Sequence, residues 1–330
     1  MKSAIKCRIC DSKDNHQRFI LKEMMFGSNE EFEYFKCSHC GCLQITDIPS
    51  NLSRFYPDNY YSYQKPISDK TSKIYTWLQK QRCKTAMFGK GVKFNRILSR
   101  FIDLPYEWYK TGPLLKKALF KNFDDAILDI GCGEHSNWLI EIKKFGFKNL
   151  IGIDPFIKMD KEEQGITYYK KSLLEMEGKF KYITFHHSLE HIPDQISQLE
   201  AASNLLSPGG ICLVRIPLVS SYVWEKYGAS WVELDAPRHL YLHTNKSIKL
   251  LGEKAGLRLI DTIYDSDEFE FAASEQYQVG IPLFDERSYL VNPKNSIFSN
   301  SQMDEFRKEA ERVNREGSGG RAGFYFAANK

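Results

Sequence analysis

The sequence has no apolar run approaching the roughly 20 residues that span a bilayer, and its first ten residues carry no apolar core of the secretory kind. Both absences lead to the expectation of a cytoplasmic chain, at most peripheral to the inner face of the membrane. Charge of one sign is also scarce. The 330 residues sum to only +4, with 46 Lys/Arg against 42 Asp/Glu, which by itself does not point to nucleic acid. There is no internal repeat, so a solenoid or propeller is excluded. With 42% hydrophobic and 27% charged residues, the composition is that of a folded chain, and wholesale disorder is excluded.

The small net charge hides an asymmetry. Between Lys65 and Asn122 there are 14 Lys/Arg and 3 Asp/Glu, a net of +11, so the rest of the chain sums to −7. The segment contains Phe94, Ile97, Leu98 and Phe101 at helical spacing, and Ile74, Trp77 and Leu78 begin a similar face. A solvated helical face is the plain reading. The sharper one is an anionic partner: a sugar-nucleotide diphosphate, or a lipid-linked glycan at an anionic membrane surface.

Four of the eight cysteines form two C-x2-C pairs, Cys7 with Cys10 and Cys37 with Cys40, separated by 26 residues. Two such knuckles place four thiolates at the corners of a tetrahedron, the arrangement structural Zn²⁺ accepts. Gly41 follows the second pair, where the turn favours a residue with positive φ. Without a secretory signal, two disulfides fit less well. His39 and Cys42 stand by as substitute ligands.

These signals divide the chain into a zinc ribbon (1–46), an aromatic linker with the basic helical segment (47–122), and a third region (123–330) in which 268–300 lacks periodicity and is a candidate lid. In the third region short apolar strands alternate with helices, for example 126–130, 149–153, 182–185 and 211–216. Ser136 and Thr244 stand where helix N-caps belong, and Gly146 where a helix should stop. The alternation predicts an α/β fold with a doubly wound, mostly parallel, seven-stranded sheet, Rossmann-like, beside a small N-terminal ribbon.

Ligands of such sheets sit beyond the carboxyl ends of the strands. Leu128 to Gly133 (LDIGCG) closes the first strand of the region, and Asp154 closes the next, 25 residues after Asp129. A dinucleotide site would want a third glycine at 136, which is missing. An acid at 129 would repel a pyrophosphate but suits the ammonium and sulfonium of S-adenosylmethionine, while an acid at 154 can accept both ribose hydroxyls.

The ordered pieces LDIGCG, IGIDP, FHHSLEHIPD and LLSPGGICLVRIP make residues 110–330 resemble a class I S-adenosylmethionine-dependent methyltransferase. The resemblance implies that Asp129, Gly131, Cys132 and Gly133 line the methionine end and that Asp154 and Pro155 border the ribose. It also implies that Ser172 and Leu173 flank the adenine and that His187, Ser188 and Leu189 border the site after the fourth strand. With the ribbon and the aromatic linker, the chain is similar to bacterial zinc-ribbon methyltransferases of sugars and other small molecules. In the sugar C-methylating branch a Glu-His pair supplies the base. His239 matches that His, but Arg238 replaces the Glu, and oxygen is at least as good an acceptor as carbon. The expected catalytic residues are therefore His239, His191 and Glu190, with Tyr56, Tyr60, Tyr61, Arg238 and Tyr241 on the acceptor side. Two rivals stand beside this reading. One is a zinc-ribbon RNA methyltransferase, against which the sequence has neither an Asn/Asp-Pro-Pro-Tyr turn nor a cysteine after the fourth strand. The other is a binding module that has lost turnover. Oligomeric state is not legible.

Overall fold

The computed structural model describes residues 5–57 and 72–329. The chain opens with three short strands, β1 (Gln17–Lys22), β2 (Glu31–Lys36) and β3 (Leu43–Ile45), and continues into helices α1 (Lys73–Phe88), α2 (Val92–Leu98) and α3 (Trp108–Leu115). The alternating region follows as β4 (Ile127–Ile130), α4 (Asn137–Phe145), β5 (Leu150–Ile153), β6 (Lys161–Glu163), β7 (Ile166–Tyr169), β8 (Phe180–His186), α5 (Gln195–Leu205) and β9 (Leu206–Pro217). It closes with α6 (Tyr222–Tyr227), β10 (Tyr241–Leu242), α7 (Asn245–Lys254), β11 (Leu257–Tyr264), α8 (Glu268–Gln278), α9 (Asn300–Arg315) and β12 (Arg321–Ala328).

Two compact units form. Of the described residues, the first comprises 5–57, 187–196 and 214–324, and the second 72–186, 197–213 and 325–329. The larger sheet has the order β11-β12-β9-β8-β4-β5-β7-β6. Its β8-β4-β5-β7 part is parallel, with Asp129 opposite Thr184 and Gly152. The expected Rossmann-like sheet is present, with an eighth strand. That strand, β6, pairs antiparallel with β7 and reads Lys-Glu-Glu, so no hydrophobic alternation announces it.

In the second unit, the apolar residues of β4, Ile127, Leu128 and Ile130, are all buried. Ser136 caps α4 by accepting from Leu139 N at 3.0 Å, and Gly146 ends it in the left-handed region, as the sequence predicts. Leu139, Ile142 and Phe145 form the buried stripe of α4, and Trp108 packs edge-on against Phe145.

In the first unit, β1, β2 and β3 form an antiparallel sheet completed by β10, whose Tyr241 pairs with Gln44. The fourth strand thus comes from about two hundred residues downstream. Tyr241 was expected on the acceptor side. It is instead 1% exposed, and its hydroxyl donates to Pro193 O at 2.7 Å, so its function here is to hold the sheet. The segment read without periodicity begins with α8. Phe271, Ala272, Ala273, Ser274, Gln276 and Tyr277 are all buried there. A helix covered on most sides leaves no polar stripe, which is why the 3.6-residue pattern is weak.

Candidate active site

The cysteine knuckles belong to the first unit. Each turns back on itself. Asp11 N donates to Cys7 O at 3.0 Å, and Gly41 N donates to Cys37 O at 2.9 Å. Both turn residues have positive φ, +63° at Asp11 and +76° at Gly41. Gly41 is required twice over, since a Cβ there would lie 2.9 Å from Thr244 Cγ2. The sulfurs of Cys7 and Cys40 are 3.6 Å apart, those of Cys10 and Cys37 3.5 Å, and all four ligand atoms lie within 4.8 Å of one another. A tetrahedron of Zn–S bonds of about 2.3 Å has edges of about 3.8 Å, so the donor set fits the ion. Ile9 N and His39 N point at Cys7 Sγ and Cys37 Sγ (3.4 Å each), and Gln44 Nε2 reaches Cys7 Sγ at 3.0 Å. Such donors stabilise thiolates. Cys42, considered as a substitute, instead donates its thiol to Leu43 O.

The second unit holds the glycine turn. Asp129, at the end of β4 and 3% exposed, accepts from Thr184 Oγ1 at 2.7 Å and from Ser136 Oγ at 2.6 Å. Ser136 therefore does two things. It caps α4 and fixes the carboxylate, a role its sequence position as a cap did not disclose. Thr184 sits opposite Asp129 on β8, and no linear motif announces it. Burial pushes the Asp129 carboxyl up to about 6. Gly131 and Gly133 take φ of +72° and +61°. Gly133 N donates to Asp154 Oδ2 at 3.1 Å and Phe156 N to Oδ1 at 2.8 Å, so the turn and the second acid are one hydrogen-bonded unit. Burial raises the Asp154 carboxyl too. Cys132 is buried between the glycines, and Pro155 is exposed beyond Asp154. Ser172, half-buried, caps a single 3-10 turn with Glu175, and Leu173 is buried beneath it. The residues expected at the methionine, ribose and adenine positions thus lie at the carboxyl ends of β4, β5 and β7, where ligands of doubly wound sheets bind.

His187, Ser188 and Leu189 follow β8 and belong to the first unit, together with the expected catalytic residues. His187 (φ +49°) hydrogen-bonds Arg215 through its Nε2 and lies 3.5 Å from Glu190 Oε1 through its Nδ1. Arg215 in turn pairs with Asp265. Ser188 and Leu189 are buried.

Glu190 is completely buried, and among the described residues neither of its carboxylate oxygens has a hydrogen-bond partner. Burial pushes its carboxyl well above the usual range. Facing it is His239 Nε2, 3.9 Å from Oε1 and 3.8 Å from Asp235 Oδ2. The other ring nitrogen, Nδ1, lies 2.7 Å from Glu233 O, which fixes it as the protonated one and leaves Nε2 with its lone pair. His191 packs edge-on against His239 with ring centroids 4.6 Å apart. Its Nδ1 lies 2.9 Å from Arg238 O and 3.1 Å from the Tyr56 hydroxyl. Desolvation lowers both imidazoles, His191 to about 3. Glu190, His191 and His239 also offer three ligand atoms within 4.8 Å of one another.

Arg238 corrects an expectation. Read as an acceptor-side residue, it is wholly buried and bonded inward. Its Nη2 donates to Glu23 Oε1 (2.8 Å) and Asp235 Oδ1 (2.6 Å), Nε to Asp235 Oδ1 (2.9 Å), and Nη1 to Phe55 O (3.1 Å). It anchors Asp235, which neighbours His239, and so positions the cluster rather than touching an acceptor. Tyr56 stands beside His191 as described, while Tyr60 and Tyr61 lie outside the described residues. His243 is buried against Gln195 and Ser247.

Residues 103–262 match the family described as "Methyltransferase domain". Similar proteins include the ubiquinone biosynthesis O-methyltransferases of Colwellia psychrerythraea and Aeromonas salmonicida. The first is 35% identical over 158 residues, 42% of this chain and 63% of that protein. The second is 28% identical over 200 residues, 51% of this chain and 81% of that protein. The chain thus spans less than two thirds of the first relative's length. Among solved structures, a SAM-dependent methyltransferase from Archaeoglobus fulgidus aligns at 16% identity with a TM-score of 0.41, covering 67% of this chain and 91% of the other. The match over 103–262, just under half of the chain, supports a SAM-dependent methyltransferase domain there.

Proposed function

We propose that the protein transfers the methyl group of S-adenosylmethionine to a hydroxyl oxygen of a small molecule, a sugar nucleotide or glycan intermediate. Asp129 receives the ammonium of the cofactor, Asp154 the ribose hydroxyls, and Ser172 and Leu173 border the adenine. The sulfonium already carries its leaving group, so the chain has to orient the acceptor and take its proton.

The observation that carries this reading is the cluster around His239. A neutral imidazole has its Nδ1 proton fixed on a carbonyl and its Nε2 lone pair facing two buried acids. On taking the acceptor proton at Nε2 it becomes an imidazolium beside the Asp235 carboxylate, which stabilises it. His191, stacked edge-on and hydrogen-bonded near Tyr56, is the second candidate for this step. The relatives' printed names, which specify an O-methyltransferase, favour oxygen over carbon as the acceptor atom.

In the same proposal the four cysteines hold one structural zinc that ties β1–β3 together. Protein purified without chelator should contain one equivalent of zinc, and its removal should unfold the small sheet, since structural zinc supplies folding free energy directly. Zinc-free protein with an unchanged fold would contradict this. For the acceptor, transfer of labelled methyl to a panel of nucleotide sugars and glycan hydroxyls should give an alkali-stable methyl ether. Transfer to RNA instead, or to nothing while cofactor binds, would replace the proposal with one of its two rivals.

A further inference from the structure

Between Lys73 and Ile102 the chain carries eight Lys/Arg and no Asp/Glu. This stretch builds α1 and α2 of the second unit. Helix α2 buries none of its residues. Phe94 is 51% exposed, Ile97 61% and Phe101 78%. The helical winding continues past Leu98, since Phe101 N donates to Leu98 O at 3.0 Å. Phe94, Ile97 and Phe101 are therefore one row, at i, i+3 and i+7. Lys93, Arg96 and Arg100 repeat the same spacing one residue earlier, a row about 100° round the helix. The sequence's helical face here is not a core face. It is an apolar row with a basic row beside it, both in solvent.

A second observation lies beside α1. A groove of about 350 Å³ is lined by Trp77, Lys80, Lys84, Lys90, Lys121 and Lys148, with Asp124 the acid among its walls. Asp124 pairs with Lys148 at 3.0 Å. Among the described residues, no ion pair joins Lys80, Lys84, Lys90 or Lys121 to a carboxylate. Lys90 both lines the groove and stands two residues before α2, so groove and rows are continuous along the chain.

We propose that residues 73–102 dock the protein on an anionic phospholipid surface. The lysine groove receives headgroup phosphates, and Phe94, Ile97 and Phe101 enter the boundary between headgroups and acyl chains. Basic charge alone would serve a nucleic acid equally. Exposed aliphatic side chains such as Ile74, Val92 and Ile97 do not stack on bases, whereas they gain from transfer into the acyl boundary. This proposal does not depend on which acceptor is methylated. It would bring the domain to acceptors held at a membrane.

Flotation of the full chain tests it. Protein should float with phosphatidylcholine vesicles containing phosphatidylglycerol, stay behind with phosphatidylcholine alone, and detach in high salt as its charges are screened. At ~1 kcal/mol per cation near the surface, each charge contributes roughly fivefold. The triple variant Lys93→Gln, Arg96→Gln, Arg100→Gln should then bind vesicles roughly 100-fold more weakly. The triple variant Phe94→Ser, Ile97→Ser, Phe101→Ser keeps every charge and should also lose flotation. Retained S-adenosylmethionine binding certifies that each variant is folded. No flotation of the unsubstituted protein on anionic vesicles, or flotation unaffected by the apolar substitutions, overturns the proposal. Affinity for RNA with no flotation would assign the surface to nucleic acid.

Discussion

Arg238→Met should lower the stability of the protein by about 3–5 kcal/mol, measured as a shift of the urea midpoint. Arg238 is wholly buried, and its guanidinium meets Glu23 and Asp235 at 2.8 and 2.6 Å. Removing it leaves two carboxylates in a low-dielectric interior with their main counter-charge gone. Among the described residues, Glu23 then retains only the backbone donors Phe26 N and Ser28 N. Most of the loss is thus the cost of stranded charge, not the worth of the pair. The double variant Glu23→Gln, Arg238→Met should therefore lose less than Arg238→Met alone. A shift within ±0.5 kcal/mol for the single variant would show that these groups are solvated rather than buried. Asp235 is left-handed at φ +35° and sits beside His239, so Arg238→Met should also slow methyl transfer by loosening the base.

His239→Gln should lower kcat by about 10²–10⁴-fold while leaving S-adenosylmethionine affinity unchanged. Glutamine can still hydrogen-bond Glu233 O, but it has no lone pair able to carry a proton away from the acceptor. The pH profile separates this from a packing defect. Burial lowers the His239 imidazole, so the neutral form is available on the acidic side of the ordinary histidine range, and with the cofactor saturating kcat/KM for the acceptor should fall only below that. His239→Gln should abolish that acidic limb. If turnover and its pH profile both survive, His191 or another group takes the proton. Because burial holds the Glu190 carboxyl protonated, Glu190→Gln keeps both its shape and its neutrality, and it should leave stability and kcat nearly unchanged unless Glu190 itself exchanges a proton.

How far these features could be read in advance depends on how local they are. The turn at Gly131 and Gly133, the acid at 154 and the Ser136 cap are legible because each is specified within a few residues. Two glycines with positive φ, a carboxylate at a strand end and a helix start are local chemistry. The cysteine knuckles are legible for the same reason, although Asp11, which plays the part of Gly41 in the first knuckle, carries no signal. What escapes sequence reading is long-range. Glu23 and Arg238 are 215 residues apart, and β10 completes a sheet begun two hundred residues earlier. No pattern in either segment asks for the other. Arg238 and Tyr241 lie in an apparently acceptor-like loop, yet burial turns their polar ends inward. Glu190 is adjacent to a conspicuous histidine, but nothing in the chain reveals that both its oxygens are left without donors. Helix α8 is hidden by being buried on most sides, and the face of α2 is legible as a helix while its exposure is not.

The central claim is that the glycine turn, Asp129 and Asp154 form a site for S-adenosylmethionine, and calorimetric titration of the folded full chain tests it most directly. The account predicts one molecule bound per chain at neutral pH. Affinity should weaken as pH falls through about 6, because protonation of Asp129 removes the charge that meets the ammonium. Asp129→Asn should weaken binding at neutral pH and flatten that pH dependence. No heat of binding from S-adenosylmethionine or S-adenosylhomocysteine with folded protein would contradict the account, as would an affinity that Asp129→Asn leaves unchanged.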